Sequence, residues 1–403
     1  MTSRTVWTFN TAGQLIFGRN AVRRLGELAR RQDCQRVLIV TDKSLVDAGV
    51  VEQARQPLAE SGIDVAVFDG GQPDPPVNAA HQAVAMARDC QADLLIGLGG
   101  GSNMDMSKAA ATILAHGGTC QDYAGDQVIP GPIFPLILVP TTSGSGSVVT
   151  AAAVLNDTDA GRKFGILSNH VRPLVAVVDP LLTVSCPPSV TADSGIDALT
   201  HAVESYLAID NETFPLPVGE STVYQGCHPV ADVLAEQAIE LVGQHLRRAV
   251  SDGSDLKARE GMSLAATTAG MAFSNVGVAV VHALEYALGP VAHIPHGRGC
   301  GLLLPYVMRF NQSVRIERLA KISILLGEDV SGLDQQAAAE RAIEAVVRLK
   351  ADIGIPATIS DVGVKPDDIN EMAETAFAVK RILRVNPRQV TQQDLVEILK
   401  EAL

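Results

Sequence analysis

The residues best suited to chemistry are Asp197 and His201, four apart in GIDALTHAVESY, followed by His282 at the head of HALEYALGP and His296 in IPHG. A helix puts residues i and i+4 on one face, so a helix here presents the carboxylate and the imidazole side by side. Three imidazoles and one carboxylate make a donor set for a divalent transition metal. Spacing alone does not bring His282 and His296 to that pair, and any single helical histidine is more often a core or surface residue than a ligand. His81, His116, His170, His228, His245 and His293 read as surface or structural.

Two further segments suit an anion. Gly99-Gly100-Gly101-Ser102 follows the apolar run DLLIGL and opens a helix-like stretch. Glycines at a strand-to-helix turn let backbone N–H groups approach an anion, and the helix N-terminus adds partial positive charge. The pattern is neither G-x-G-x-x-G nor a P-loop, and a glycine-rich turn needed only for its backbone angles is the alternative. Thr141-Thr142-Ser143-Gly144-Ser145-Gly146-Ser147 carries five hydroxyls and two glycines, which suits a loop around a polar ligand and equally a solvent loop. Asp42 closes the run RVLIVTD. A carboxylate there accepts hydrogen bonds from an adenosine ribose and repels a 2′-phosphate, or caps the following helix; both roles are compatible.

These residues need elements to position them. Arg36–Thr41, Asp64–Phe68, Asp93–Leu98 and Pro135–Val139 read as buried strands, with helical periodicity near residues 45–61, 76–90 and 104–116 between them. Alternating strands and helices imply a parallel sheet covered on both faces. Val148–Leu155 and Lys163–Leu167 read as a hairpin around Asn156-Asp157, with one more strand at Leu174–Val178. From about residue 190 helical periodicity dominates (Val190–Ile209, His228–Val250, Leu256–Phe273, Val281–Leu288 and beyond), broken by a Pro- and Gly-punctuated loop at Asp210–Gly226. The expected organisation is an α/β domain over 1–184 and an all-helical domain over 185–403.

A chain of 403 residues with 47% hydrophobic side chains supports such cores and excludes a disordered protein. With aromatics at 4%, those cores must be aliphatic. A formal charge of −13 offers no electrostatic footprint for nucleic acid or an anionic membrane. Six cysteines without a C-x-x-C pair read as thiols of a reducing compartment. The opening Met-Thr-Ser-Arg-Thr-Val-Trp has no apolar signal region, and no apolar run approaches the ~18 residues of a membrane span. A cytoplasmic protein is expected.

GGGSNMDMSKAA, PTTSGSGSVVT, GIDALTHAVESY and HALEYALGPVAHIPHG stand in an order and spacing that resemble the iron-containing (group III) alcohol dehydrogenases, from Thr41 to Gly297. The resemblance implies a Rossmann-like dinucleotide-binding domain, a helical metal-binding and substrate domain, and an active site in the cleft between. It assigns Asp197, His201, His282 and His296 as metal ligands, usually for Fe2+ and in some members Zn2+. Gly100, Gly101 and Ser102 match the pyrophosphate loop of NAD, and Thr141, Thr142 and Lys163 match further NAD contacts. Asp42 matches the position that favours NAD over NADP, and Asp105 the motif aspartate near the nicotinamide. The chain departs from the family where Val148 replaces a glutamate and where Tyr286 replaces a histidine often given a proton-relay role.

The function implied is that of an NAD-dependent iron-type alcohol dehydrogenase. The metal lowers the pKa of an alcohol while hydride passes to the nicotinamide, and the reverse reduces an aldehyde or ketone. Tyr286 and YQGCHPVAD at Tyr224–Asp232 resemble the hydroxyacid–oxoacid transhydrogenase branch, which is the alternative. A dehydroquinate-synthase-like lyase would need a basic cluster near the metal helix, and none stands between residues 190 and 210. A nucleotide-binding regulator would leave the four ligands without a purpose. The expected partners are a small alcohol, aldehyde or hydroxyacid and further copies of the chain, as a homodimer or higher homo-oligomer.

Overall fold

Six strands form a parallel sheet in the order β1-β9-β6-β4-β2-β3: β1 (Gln14–Phe17), β2 (Arg36–Val40), β3 (Asp64–Phe68), β4 (Leu94–Gly99), β6 (Leu136–Pro140) and β9 (Val175–Val178). A three-stranded sheet carries β5 (Gly125–Asp126), β8 (Arg162–Leu167) and β7 (Ala152–Asp157). This computed structural model describes residues 5–216 and 219–403. Residues 1–4 of the opening stretch, and Pro217 and Val218 of the loop expected over 210–226, lie outside the described residues.

The central strands β4 and β6 are buried along their whole length, as strands covered on both faces must be. One cluster joins Val37, Ile39, Leu94, Ile96, Ile137, Val139 and Val177 to Leu25, Leu28, Ala54 and Leu58. The latter come from α1 (Leu25–Arg31) and α3 (Val50–Ala59). The helix expected over 45–61 is two, α2 (Lys43–Asp47) and α3, because Gly49 between them takes φ 72°. Next follow α4 (Val77–Asp89) and α5 (Gly101–His116), the latter starting at the phosphate-type loop itself. The hairpin turn lies later than expected: Asn156 pairs with Lys163 and Asp157 with Arg162, leaving residues 158–161 to turn. Val148, read as strand, sits in a short 3-10 turn over Ser147–Val149.

One compact unit comprises Asn10–Cys186 and Ser221–Val223. In the loop that ends it, Asp126 accepts bonds from Thr222 Oγ1 (2.5 Å) and Val223 N (3.0 Å). The other unit comprises the described residues up to Phe9, Pro187–Glu220 and Tyr224–Leu403. It is helical: α6 (Pro188–Leu207), α7 (Pro229–Ser251), α8 (Leu256–Val276), α9 (Val280–Ala292), α10 (His296–Asn311), α11 (Ile316–Leu325), α12 (Gln335–Asp352), α13 (Ile369–Ala378), α14 (Lys380–Leu383) and α15 (Gln392–Ala402). Helix α6 is nearly all buried, packed by α7, α8 and α10. Among the described residues no single helix is long and apolar enough to cross a membrane.

Gly97, in the middle of β4, lets α5 lie directly on the sheet. A Cβ there would stand 2.6 Å from Ser107 Oγ, 2.8 Å from Ser107 Cβ and 2.6 Å from Leu138 Cδ2. Overpacking of this kind costs about 1–3 kcal/mol. Gly97→Ala is therefore expected to lower the unfolding free energy by that amount, read as a lower urea midpoint, and an unchanged midpoint would show that α5 has room to move off the sheet.

Candidate active site

Asp197 and His201 lie one turn apart on α6, with their side chains buried. Helix α10 comes close to them because its glycines leave space. A Cβ on Gly297 would stand 2.1 Å from Asp193 O and 3.0 Å from Asp197 Cβ, and one on Gly301 2.5 Å from Ile196 Cγ1. Arg298 clamps the same contact, bonding Asp193 through Nε (2.9 Å) and Nη2 (3.2 Å). His296, the first residue of α10, is thereby brought to α6. His282 arrives on the first turn of α9.

Two carboxylates orient these imidazoles. Glu204 of α6 accepts the backbone N–H groups of Ala279 (2.9 Å) and Val281 (2.6 Å), so it caps α9, and it also bonds His282 Nδ1 at 2.6 Å. Glu285 Oε2 pairs with His296 Nδ1. An Nδ1–H donated to a carboxylate leaves the Nε2 lone pair free to bind a metal, and fixes the ring that carries it. His282 Nε2 and His296 Nε2 each lie 3.9 Å from Asp197 Oδ1. His201 stacks on Phe273 with ring centres 4.0 Å apart, and its Nε2 is 3.0 Å from His282 Nε2. The structure thus brings all four expected ligands together.

The residues fit a divalent metal. Asp197 Oδ1 is buried without a hydrogen-bond donor, and burial pushes the Asp197 carboxyl above its usual pKa. A buried anionic oxygen left so is costly unless a cation meets it. Asp197, His282, His296 and Cys300 have ligand atoms within 4.8 Å of one another.

In the α/β unit, the neighbouring strands β2, β4 and β6 end beside one another and lead into Asp42, Gly100–Ser102 and Thr141–Ser147. Carboxyl ends of parallel strands are where such sheets bind ligands. Asp42 Oδ1 caps α2 through Leu45 N (3.1 Å), while Oδ2 accepts Asn103 Nδ2 at 2.6 Å. Asn103 also reaches Leu98 O (3.2 Å) and so ties the two loops together. Gly99, at φ 145°, makes room for it. Thr142 stands over Gly100, where a Cβ would lie 3.7 Å from Thr142 Oγ1, and Thr141 N donates to Gly99 O (3.0 Å).

The remaining expected residues have protein partners. Asp105 accepts Ser147 Oγ (2.6 Å) and Val154 N (2.9 Å), with Lys108 Nζ 3.8 Å away. Lys108 is wholly buried and donates to Ser147 Oγ (2.9 Å), Thr150 Oγ1 (3.0 Å) and Ala152 O (2.7 Å). Burial pulls its pKa down to about 8. Lys163 pairs with Asp74 at 2.8 Å. The Tyr286 ring lies 6.5 Å from that of His296, and burial pushes its phenol above the usual value, so it keeps its proton at neutral pH. Sequence reasoning missed Glu204, Glu285, Asn103, Lys108 and Cys300. For Cys300 a signal was present: it follows His296 by four on one helix.

A histidine–aspartate cluster in the helical unit, and glycine-rich loops at the strand ends of the parallel α/β unit, are the parts that a metal-dependent dehydrogenase requires. A model of the iron-containing alcohol dehydrogenases matches residues 12–180, and one of the C-terminal domain of that family matches residues 218–403. The chain is 38% identical over 388 residues to the NAD-dependent methanol dehydrogenase of Bacillus methanolicus, covering 96% of this chain and 97% of that one. It is 39% identical over 389 residues to the 1,3-propanediol dehydrogenase of Klebsiella pneumoniae, covering 96% of each. A crystal structure of 1,3-propanediol oxidoreductase superposes with a TM-score of 0.93 at 38% identity, over 99% of this chain and all of the other. The chain belongs to the iron-containing alcohol dehydrogenase family, and it is an oxidoreductase.

Glu285 has a single visible role at the site, holding His296. Removing the carboxylate partner of a ligating histidine typically costs 10–100-fold in metal affinity. Glu285→Ala is expected to weaken divalent metal binding by about that factor, measured by competition with a chromogenic chelator. Unchanged affinity would mean that His296 needs no such support.

Proposed function

We propose that this chain catalyses reversible hydride transfer between a small primary alcohol, or its aldehyde, and NAD(H), at a metal held by Asp197, His201, His282 and His296. The observation that carries this is the buried, donor-less Asp197 Oδ1, faced by Nε2 atoms of imidazoles whose other nitrogens are bound to carboxylates. A divalent metal held there would supply Lewis acidity toward the alcohol or carbonyl oxygen, and bound NAD would supply the hydride acceptor. The protein's part is positional. Glu204 and Glu285 fix the imidazoles, Gly100, Gly101 and Ser102 offer N–H groups to the pyrophosphate, and Thr141 and Thr142 line the same strand ends. Asp105, with Lys108 and Ser147, braces the loop after β6, and Lys163, paired with Asp74, would offer a further contact to NAD. Exposed apolar side chains of Val6, Trp7, Val230 and Val233, with Trp7 stacked on His228 just before α7, support a homodimer or higher oligomer. Six free thiols support a cytoplasmic location.

The direct experiment is metal analysis of anaerobically purified protein, with alcohols of increasing length assayed against NAD and NADP. His282→Ala is expected to lose the metal and at least 100-fold in kcat while remaining folded by circular dichroism. Full turnover without metal would overturn the reading. Asp42→Gly is expected to raise NADP use relative to NAD at least tenfold. Because Asp42 also caps α2 and holds Asn103, some loss of NAD affinity should accompany that gain. A wild type that already prefers NADP would reduce Asp42 to those two structural bonds.

One observation favours a second reading, an acidic substrate of the hydroxyacid class handled with bound NAD. Arg381 lies over the Tyr224 ring at 5.6 Å, and its Nη1 is buried without a hydrogen-bond partner among the described residues. Its charge acts on Tyr286, the neighbour of His296. A guanidinium so placed takes a carboxylate in bidentate fashion. On this reading Arg381→Ala raises KM for an ω-hydroxyacid more than tenfold and leaves the neutral alcohol of the same length unaffected. Equal KM changes for both would leave the simple alcohol as the substrate.

A further inference from the structure

Helix α8, LKAREGMSLAATTAGMAFSNV, carries one aromatic residue among its alanines, glycines, serines and threonines: Phe273, on its last turn. The chain has nine phenylalanines in 403 residues, and this one lies on an expected metal ligand. The buried rings of Phe273 and His201 face each other, with centres 4.0 Å apart and planes 11° apart. His282 stacks on the same imidazole with ring centres 4.7 Å apart. The other two imidazoles are held from their Nδ1 atoms, His282 by Glu204 and His296 by Glu285. At His201 the carboxylate one turn earlier is farther off: Asp197 Oδ2 stands 3.7 Å from Nδ1, longer than a hydrogen bond. The torsion that turns an imidazole about Cβ–Cγ is broad, so the ring plane must be set from outside. A parallel ring in contact sets it, because turning His201 would drive its edge into Phe273.

We infer that Phe273 is a positioning residue of the metal centre: its ring fixes the plane of His201 and with it the direction of Nε2. The inference rests on the metal reading given above. A phenyl face thus does for the ligand on α6 what carboxylates do for the ligands on α9 and α10. The task requires shape rather than charge. A leucine there is apolar but not planar and leaves a gap, so His201 can rock and Nε2 leaves the line to the metal. A tyrosine keeps the plane.

The test uses the full-length protein, stripped by a chelator and reloaded anaerobically with Co2+, whose visible absorption reports the geometry of its ligands. Phe273→Leu should bind Co2+ about 10-fold more weakly and show altered visible bands. Phe273→Tyr should restore both the affinity and the wild-type spectrum. A packing role alone gives a different result: easier urea unfolding of metal-free Phe273→Leu, with wild-type Co2+ affinity and bands. That result would overturn the inference while leaving the proposed function intact, as would equal losses in the two variants. A crystal structure of Zn2+-loaded wild type needs no variant. It should show His201 Nε2 about 2.0–2.1 Å from the metal, with the imidazole still parallel to Phe273. A bound metal with His201 turned off that ring, or missing from its ligands, would count against the inference in the same way. A wild type that binds no divalent metal would overturn both readings together.

Discussion

A carboxylate oxygen buried without a hydrogen-bond donor is costly unless a cation meets it or the group takes up a proton, and in this chain that oxygen is Asp197 Oδ1. The effective cost of burying one ion is several kcal/mol, a large fraction of the net stability of a domain. The surrounding arrangement answers it. Imidazoles from α6, α9 and α10 face Asp197, and each of the two incoming helices brings its histidine on its first turn. Their ring orientation is secured by Glu204 and Glu285, which add negative charge behind the nitrogens that turn inward. Glu204 also caps α9, so the helix that delivers His282 starts where the carboxylate that orients His282 stands. Backbone architecture and site electrostatics therefore share one side chain.

Packing serves the same end. Gly297 and Gly301 remove the side chains that would hold α10 away from α6, and the Arg298–Asp193 pair fastens the contact next to Asp197. In the α/β unit the equivalent task falls to buried polar bonds. Lys108 has no exposed surface, and it fastens α5 to the loop after β6 through Ser147 and Thr150. Asp42 and Asn103 fasten the turn after β2 to the turn after β4. Loops rich in glycine and serine have little apolar surface to bury, so these bonds take the place of packing in holding them.

Much of this was legible in the sequence, for identifiable reasons. Continuous aliphatic runs fixed β2, β3, β4 and β6 to within a residue, and the four-residue spacing of Asp197 and His201 placed them on one helix face. Other features depend on contacts remote in sequence. Glu204 and Glu285 look like any helical glutamate until α9 and α10 are placed beside α6. The edge strand β1 has only four residues, and its hydrogen-bonded neighbour is β9, some 160 residues on. Lys108 sits in an Ala-rich helix, where a lysine normally reads as the solvent face. Gly49 and residues 158–161 differ from expectation for a local reason: a left-handed glycine and a turn registered by cross-strand pairing each override periodicity.

The central claim is that a metal at Asp197 organises the helical unit. Anomalous diffraction, recorded on both sides of the metal absorption edge from crystals of anaerobically loaded protein, tests it most directly. The account predicts one peak within about 2.5 Å of Asp197 Oδ1, His282 Nε2 and His296 Nε2. No peak there, with Asp197 Oδ1 instead accepting a hydrogen bond from a protein donor, would contradict it.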